Sequence, residues 1–362
     1  MSERRDWTAE DQRVQGLITH QRADERGMTI HPEAGRITQI HTVNDAFEVT
    51  FADGHKSSYG SEGFSAINRS LDADVLRTGT VMMHLWQSVI ERYPPKVQYD
   101  SVQTGSGMAH LMSTLRQFGF CFVSNTPETP EATKALLESI GPIRNTHYGG
   151  FYDFTSDLSS KDTAYTSESL EPHTDNTYFT DPAGLQALHL LSHTEGSGGK
   201  SSLVDGFAAA HALSQQDPEA YRILCITPVF AHASGNEGIS IQPAQPMPVL
   251  KFDAFINQIT QVRWNNADRA GVFTQVGEQM EAWYRAAAKW DALISDPKNQ
   301  YWFQLKPGML LIFDNSRVLH GRSAFTGKRR MCGGYINRDD YISKYRMTNL
   351  SKEEIEASTV TG

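Results

Sequence analysis

From Tyr148 to Tyr345 the chain is cut into short apolar runs separated by Gly-rich turns, and this texture constrains the fold more than any other feature. Runs such as Leu185-Gln186-Ala187-Leu188-His189-Leu190 and Met309-Leu310-Leu311-Ile312-Phe313 read as buried strands. One long helix interrupts them. It carries Val276, Met280, Trp283, Tyr284 and Ala287 at helical spacing and closes before Asp296-Pro297. Many short strands with a few appended helices predict a mostly β architecture with appended helices, a double-stranded β-helix or jelly roll.

Upstream, Phe47, Val49 and Phe51 alternate with polar residues before the turn signal Ala52-Asp53-Gly54, which predicts a hairpin within a small N-terminal α+β module. Residues up to about Asp24 are polar and expected to be loosely attached. Met82, Leu85, Trp86, Val89, Ile90 and Tyr93 predict a helix stopped by Pro94-Pro95, and that double proline is the expected boundary. The module then spans 1–95 and the main domain 96–362. Within the latter, Met108, Leu111, Met112, Leu115 and Phe118 share a helical face, and Phe120-Cys121-Phe122-Val123 reads as a strand. A further helix is capped by Thr129 with Pro130 in its first turn and Gly141 past its end.

Composition removes several classes of function. A formal net charge of -9 disfavours nucleic acid or an anionic membrane as partner. No apolar run is long enough to span a bilayer. Three scattered cysteines, Cys121, Cys225 and Cys332, form no Cys-x-x-Cys, so neither a disulfide scaffold nor a thiolate zinc site is expected. The acid-rich N-terminus resembles no secretory signal. A cytoplasmic setting is expected, with mitochondrial import by an internal route left open.

In Glu171-Pro172-His173-Thr174-Asp175-Asn176, a strand would place His173 and Asp175 on one face, because side chains alternate with period 2. An arbitrary His-x-Asp is more often a hydrogen-bonded surface pair. Here a later histidine, His320 in Val318-Leu319-His320-Gly321-Arg322, is the best candidate for a third ligand. Two His and one carboxylate with open positions describe a non-haem Fe(II) oxygenase site. Downstream lie Arg322, Arg329 and Arg330, any of which could bind a carboxylate bidentately. An isolated Lys-Arg-Arg is otherwise a solvated turn.

The segments Lys161-Asp162-Thr163-Ala164-Tyr165, His173-Thr174-Asp175, Gly198 to Phe207, Val318 to Arg322, Arg329-x-Met331-x-Gly333-x-Tyr335 and Asn337-Arg338-Asp339-Asp340 occur in that order. Together they closely resemble the carnitine-biosynthesis branch of the Fe(II)/2-oxoglutarate oxygenases, from roughly residue 105 to residue 345. The resemblance implies iron on His173, Asp175 and His320, and 2-oxoglutarate on Arg329, with Ser201 near the same carboxylate and Arg322 as a second-tier contact or ion-pair partner. It also implies dioxygen as co-substrate, ascorbate as a supporting reductant, and a homodimer. The segment from about Ala231 to Val262 would be a family-variable region over the site. Related enzymes often carry a Cys-rich zinc site in the N-terminal module. Tyr59 to Asn68 holds no Cys here, so no structural zinc is expected.

Substrates of this branch bear a trimethylammonium group, which aromatic faces hold best. Tyr148, Tyr152 and Tyr165 match the cage positions, with Tyr152 standing where related enzymes carry Trp. Asn265 matches a contact to the substrate's other end. Asp162 stands where the butyrobetaine enzymes have Asn. An Asp would repel a lone carboxylate but pair with an α-ammonium, so the expected substrate is trimethyllysine rather than γ-butyrobetaine. A silent jelly-roll binding protein and a zinc hydrolase are the competing classes. The intact ligand set disfavours the first, and the lack of a general-base Glu motif the second.

Overall fold

The computed structural model describes residues 36–43, 46–60, 82–156, 167–233, 238–254, 256–272, 276–352 and 354–355. The expectations placed on residues 1–24, Asp162, Tyr165 and most of Tyr59–Asn68 lie outside them. Contacts divide the chain into two units, Met1–Thr80 with Leu350–Gly362, and Val81–Asn349. The Pro94-Pro95 pair therefore falls inside the second unit rather than between the two.

In the first unit, β1 (Ile37–Val43), β2 (Ala46–Phe51) and β3 (Lys56–Gly60) form an antiparallel sheet in the order β1-β2-β3. The hairpin expected around Ala52-Asp53-Gly54 joins β2 to β3, and Val49 and Phe51 are buried.

The second unit holds β4 (Lys96–Gln98), β5 (Phe120–Ser124), β6 (Tyr152–Ser156), β7 (Leu170–His173), β8 (Leu185–Thr194) and β9 (Ser201–Asp205). It continues with β10 (Leu250–Asp253), β11 (Gln258–Val262), β12 (Gln300–Phe303), β13 (Met309–Asp314), β14 (Val318–Arg322) and β15 (Lys328–Ile336). Its helices are α1 (Tyr99–Val102), α2 (Gly105–Phe118), α3 (Pro130–Ile140), α4 (Gly206–Gln216), α5 (Pro218–Ile226), α6 (Glu278–Ser295) and α7 (Arg338–Asn349). A six-stranded sheet runs β4-β5-β13-β8-β15-β6 and a four-stranded sheet runs β12-β9-β14-β7. All neighbours are antiparallel except β4 and β5.

Period-2 alternation explains why the two sheets stack. On β13, Leu311 and Phe313 meet Leu203 of β9 and Val318 of β14 in the core between the sheets. Leu310 and Ile312 point the other way, onto Leu111, Leu115 and Leu137 of α2 and α3. The outer face of the small sheet, with Val204 and Leu319, is covered by α4, α5 and α6 through Phe207, Leu224, Trp283 and Trp290. This is the jelly roll that the run texture predicts. Thr129 caps α3 through Ala132 N–H at 3.3 Å, with Pro130 as its first residue.

The helix expected over Met82–Tyr93 is not formed beyond a 3-10 turn at Ser88–Arg92. The backbone N–H groups of this stretch go to distant partners: His84 to Gln117 O, Trp86 to an Asp205 oxygen, Ser88 to Lys298 O. Only Trp86 is fully buried, while Met82 and Tyr93 are almost wholly exposed. Of the long helix's expected stripe, Trp283 and Ala287 are buried, whereas Val276 precedes the helix and is exposed.

Candidate active site

His173 ends β7 and His320 lies in the middle of β14, and the two are direct partners across the antiparallel ladder. Their rings lie 4.3 Å apart. Beyond His173 the chain leaves the sheet, and Asn176 adopts the left-handed conformation with φ 61° that Asn tolerates better than most residues. That turn aims Asp175 back at both imidazoles. Its Oδ1 is 3.4 Å from His173 Nε2 and 3.8 Å from His320 Nε2. One ligand atom from each of the three residues lies within 4.8 Å of the others, the metal-ligating cluster found among the described residues.

The surroundings fix these groups. His173 Nδ1 sits 2.8 Å from Glu171 O, a geometry in which Nδ1–H donates and Nε2 keeps its lone pair for a metal. Asp175 Oδ2 accepts from the Tyr335 hydroxyl at 2.6 Å. The Asp175 backbone is held on both sides by Asn315, which accepts from Asp175 N at 2.8 Å and donates to Asp175 O at 3.0 Å. Burial, reinforced by the neighbouring His173, pushes His320 down to about 3 and keeps it a neutral ligand. Burial opposes the Asp175 charge, but the two histidines and the Tyr335 hydroxyl outweigh it and hold the carboxyl well below its ordinary range. At His173 burial likewise opposes charge, and Asp175 reverses the sign and draws the imidazole upward. Two imidazoles and one ionised carboxylate on one face fit a divalent iron with open positions.

Along β15, Arg329, Met331, Gly333 and Tyr335 share the inward face by alternation, so the guanidinium and the Tyr335 phenol look into the same interior. Arg329 is 3 % exposed, and its Nε has no hydrogen-bond partner among the described residues. Burial lowers its basicity, and no acidic neighbour among the described residues restores it. A Cβ on Gly199 would lie 2.8 Å from its Nη1, so the missing side chain leaves room for the guanidinium. Phe325 lies 5.0 Å from Arg329 and 4.9 Å from Arg322. Arg322 donates to Glu168 O at 3.0 Å, and burial beside Arg329 lowers it to about 10. Ser201 is directly opposite Arg322 on the neighbouring strand.

The expected cage is placed in part. Tyr152 lies 6.0 Å from Tyr335, its hydroxyl donating to Ala187 O at 2.6 Å. Gly333 makes this possible, since a Cβ there would be 2.7 Å from the Tyr152 hydroxyl oxygen. Tyr148 hydrogen-bonds Tyr178, whose own hydroxyl is pushed up by burial. Asn265 donates to Asp268 at 2.8 Å and accepts from Ala267 N at 3.0 Å.

Four residues here were given no role from the sequence: Tyr335, named only as part of a motif, and Tyr178, Asn315 and Asp268. Alternation from Arg329 along β15 reaches Tyr335 and could have found it. Asn315 follows a buried strand and Asp268 sits in a turn, and no local pattern marks either.

Fold and site together define a class, a jelly-roll protein whose interior brings together two imidazoles and one carboxylate that could hold a single metal ion. The chain belongs to the taurine catabolism dioxygenase TauD, TfdA family, whose model matches residues 90–335. It is 43% identical to a trimethyllysine dioxygenase from Neurospora crassa, covering 90% of this chain and 75% of that protein. It is 36% identical to a trimethyllysine dioxygenase from Gallus gallus, named mitochondrial, over 89% and 76% of the two. A gamma-butyrobetaine dioxygenase from Pseudomonas sp. (strain AK-1) is 31% identical over 84% and 80%. Among solved structures, AAD-2 in complex with Mn(II) and N-oxalylglycine shares the fold with a TM-score of 0.52 at 13% identity, covering 71% of this chain and 97% of that one. Among the described residues no helix is long and apolar enough to cross a membrane.

Proposed function

We propose that this chain is an Fe(II)- and 2-oxoglutarate-dependent oxygenase that hydroxylates ε-N-trimethyllysine at its β-carbon, giving 3-hydroxytrimethyllysine on the route to carnitine. One observation supports this above the rest: a buried Arg329 guanidinium, with no carboxylate partner among the described residues, faces the same interior as the His173/Asp175/His320 cluster. A buried cation without an anion among the described residues is costly, which supports a site built for an anionic ligand beside the candidate metal position.

His173, Asp175 and His320 would hold the iron, and Arg329, with Ser201 and Arg322 nearby, the distal carboxylate of 2-oxoglutarate. When bound with dioxygen, these partners supply the oxidant, as 2-oxoglutarate leaves as succinate and carbon dioxide and one oxygen atom enters a substrate C–H bond. The chain's part is orientation. Tyr148, Tyr152 and Tyr335 offer aromatic faces to a trimethylammonium, and Asn265 serves the amino-acid end. Asp162 and Tyr165 complete the two ends in this reading. Ascorbate keeps the iron ferrous, and the protein works as a homodimer in the cytoplasm. The higher identity to trimethyllysine dioxygenases than to the gamma-butyrobetaine enzyme supports the choice of substrate.

The test is mass spectrometry of the protein with Fe(II), 2-oxoglutarate, ascorbate and air, with trimethyllysine and γ-butyrobetaine offered together. Oxygen addition to trimethyllysine with matching succinate is expected. Addition to γ-butyrobetaine would overturn the substrate and keep the iron site, whereas no succinate at all would leave a silent binding protein. Asp162→Asn should shift preference toward γ-butyrobetaine, and an unchanged ratio would remove the charge argument.

A further inference from the structure

Thr177, Val249, Trp264 and Asn265 wall a cavity of about 330 Å³ together with Arg263 and Arg269. No Asp or Glu is among the described residues that line it, so two arginines border one space without an acid. Arg263 is 9 % exposed. Its Nη2 donates to Thr177 O at 2.6 Å and to Phe179 O at 2.8 Å, and its Nη1 to Thr180 O at 3.3 Å. Its Nε has no acceptor among the described residues. The three carbonyls are dipoles rather than charges. Burial lowers the guanidinium to about 10, and Asp181, itself mostly exposed and 3.7 Å from Arg144, only partly offsets this. Arg269 is half-buried, its Nε and Nη2 donating to Asn266 Oδ1 at 3.2 and 2.9 Å and its guanidinium 5.1 Å from the Trp283 ring.

The cavity borders the turn that carries Asp175. Thr174, between the candidate ligands His173 and Asp175, donates its N–H to Trp264 O at 2.7 Å and accepts from Trp264 N at 3.0 Å. Thr177 lies two residues past Asp175 and is buried. A buried guanidinium without a counter-charge is costly, and an anion in the cavity would offset that cost. Position selects the anion. The candidate clamp for 2-oxoglutarate is Arg329, on β15 of the other sheet. Hydroxylation at a β-carbon brings that carbon to the metal, and the α-carboxylate lies only two bonds further on. The carboxylate of the substrate must therefore rest close to the metal-bearing turn. Asn265 serves this end of the substrate in the reading above, but an amide brings no charge to a carboxylate. We propose that the cavity is the subsite for the α-carboxylate of an amino-acid substrate, with Arg263 as its counter-cation and Arg269 as a second positive charge in its wall. The inference rests on the trimethyllysine reading, which supplies the β-carbon as the reacting position. A charge-assisted bond of this kind discriminates most strongly against a ligand that lacks the matching group.

The test compares trimethyllysine with its α-carboxamide, which puts a neutral group of similar shape in place of the carboxylate, on the full chain loaded with Fe(II) and 2-oxoglutarate. The wild type should prefer the acid. In Arg263→Gln, KM for the acid should rise by at least about tenfold while kcat changes little, because a bond between charged groups is lost. The carboxamide should lose far less. Arg263→Lys keeps the charge but cannot hold three carbonyls with a planar fork. It should retain much of the preference for the acid, and a Lys variant as impaired as the Gln variant would make Arg263 a structural residue and overturn the inference. Where Arg263→Gln does not fold, Arg269→Gln decides: a narrowed preference supports the subsite and an unchanged one overturns it. A rise in KM for 2-oxoglutarate, with that for trimethyllysine unchanged, would put the co-substrate in the cavity and overturn the inference. A wild type that hydroxylates neither compound overturns the substrate reading and this inference with it. A wild type equally active on both overturns only the inference.

Discussion

At the scale of single residues, Tyr335 does work that its place in the sequence conceals. Its hydroxyl spends its proton on Asp175 Oδ2 at 2.6 Å, and its ring borders Tyr152. Groups that orient a metal ligand typically change affinity by about 10–100-fold when removed. Tyr335→Phe is therefore expected to weaken Fe(II) binding by about tenfold in an anaerobic titration while leaving the fold intact. The three residues of the cluster were readable from the chain, but not through the expected period 2, since β7 ends at His173 and Asp175 lies in the turn beyond it. What the alternation could not supply was the turn at Asn176, with φ 61°, that brings Asp175 back toward His320. Asn315 was equally invisible, since its grip on the Asp175 backbone spans 140 positions.

At the scale of elements, apolar spacing succeeded where packing was local and failed where long-range partners competed. The strand runs and the capped helix α3 formed as expected because their own residues carry the signal. The stretch Met82–Tyr93 has helical spacing, yet only Ser88–Arg92 forms a 3-10 turn and the rest is held by bonds to Gln117, Asp205 and Lys298. Its anchor is a buried ion pair. Arg317 donates to both oxygens of Asp205 at 3.0 and 2.7 Å and to the carbonyls of Gln117 and His84, while Asp205 caps α4 through Phe207 N. Arg317→Met would strand a buried carboxylate, and a loss of about 3–5 kcal/mol is expected in urea denaturation. A second contact between elements gives a pH signature. His189 of β8 is buried, its Nδ1 2.7 Å from Thr133 Oγ1 of α3, and burial lowers it to about 4. The unfolded chain takes up this proton below about 6.5, whereas the folded one resists until about 4. Stability contributed by neutral His189 is thus complete above the unfolded value and lost as pH falls through this window, on the order of 3 kcal/mol in all. Denaturation midpoints of wild type and His189→Gln between pH 7 and pH 4 should converge as the pH falls.

At the scale of the whole unit, the site is assembled from both sheets and from segments distant in sequence. The candidate metal ligands come from β7, the turn after it and β14, and the candidate anion clamp comes from β15 in the other sheet. A ligand that bridges these parts binds the folded unit and not the unfolded chain, so it must raise the melting temperature by mass action. At hundredfold excess over Kd each ligand contributes about 2.7 kcal/mol, or roughly 5–10 °C for a unit of this size. Anaerobic melting with Fe(II) alone, then with 2-oxoglutarate added, should therefore show two successive increments. Arg329→Met separates them. It keeps the imidazoles and Asp175, so the first increment should persist, but it removes the guanidinium, so the second should shrink or vanish. Replacing a buried cation that has no carboxylate partner among the described residues with an apolar side chain of similar length should also raise the melting temperature of the ligand-free protein, since only weak contacts to Met331 Sδ at 3.9 Å and to the Phe325 ring are lost. A variant more stable when empty and less responsive to 2-oxoglutarate is the outcome a built anion site requires. One destabilised when empty would mean that Arg329 has a structural partner and that the anion binds elsewhere.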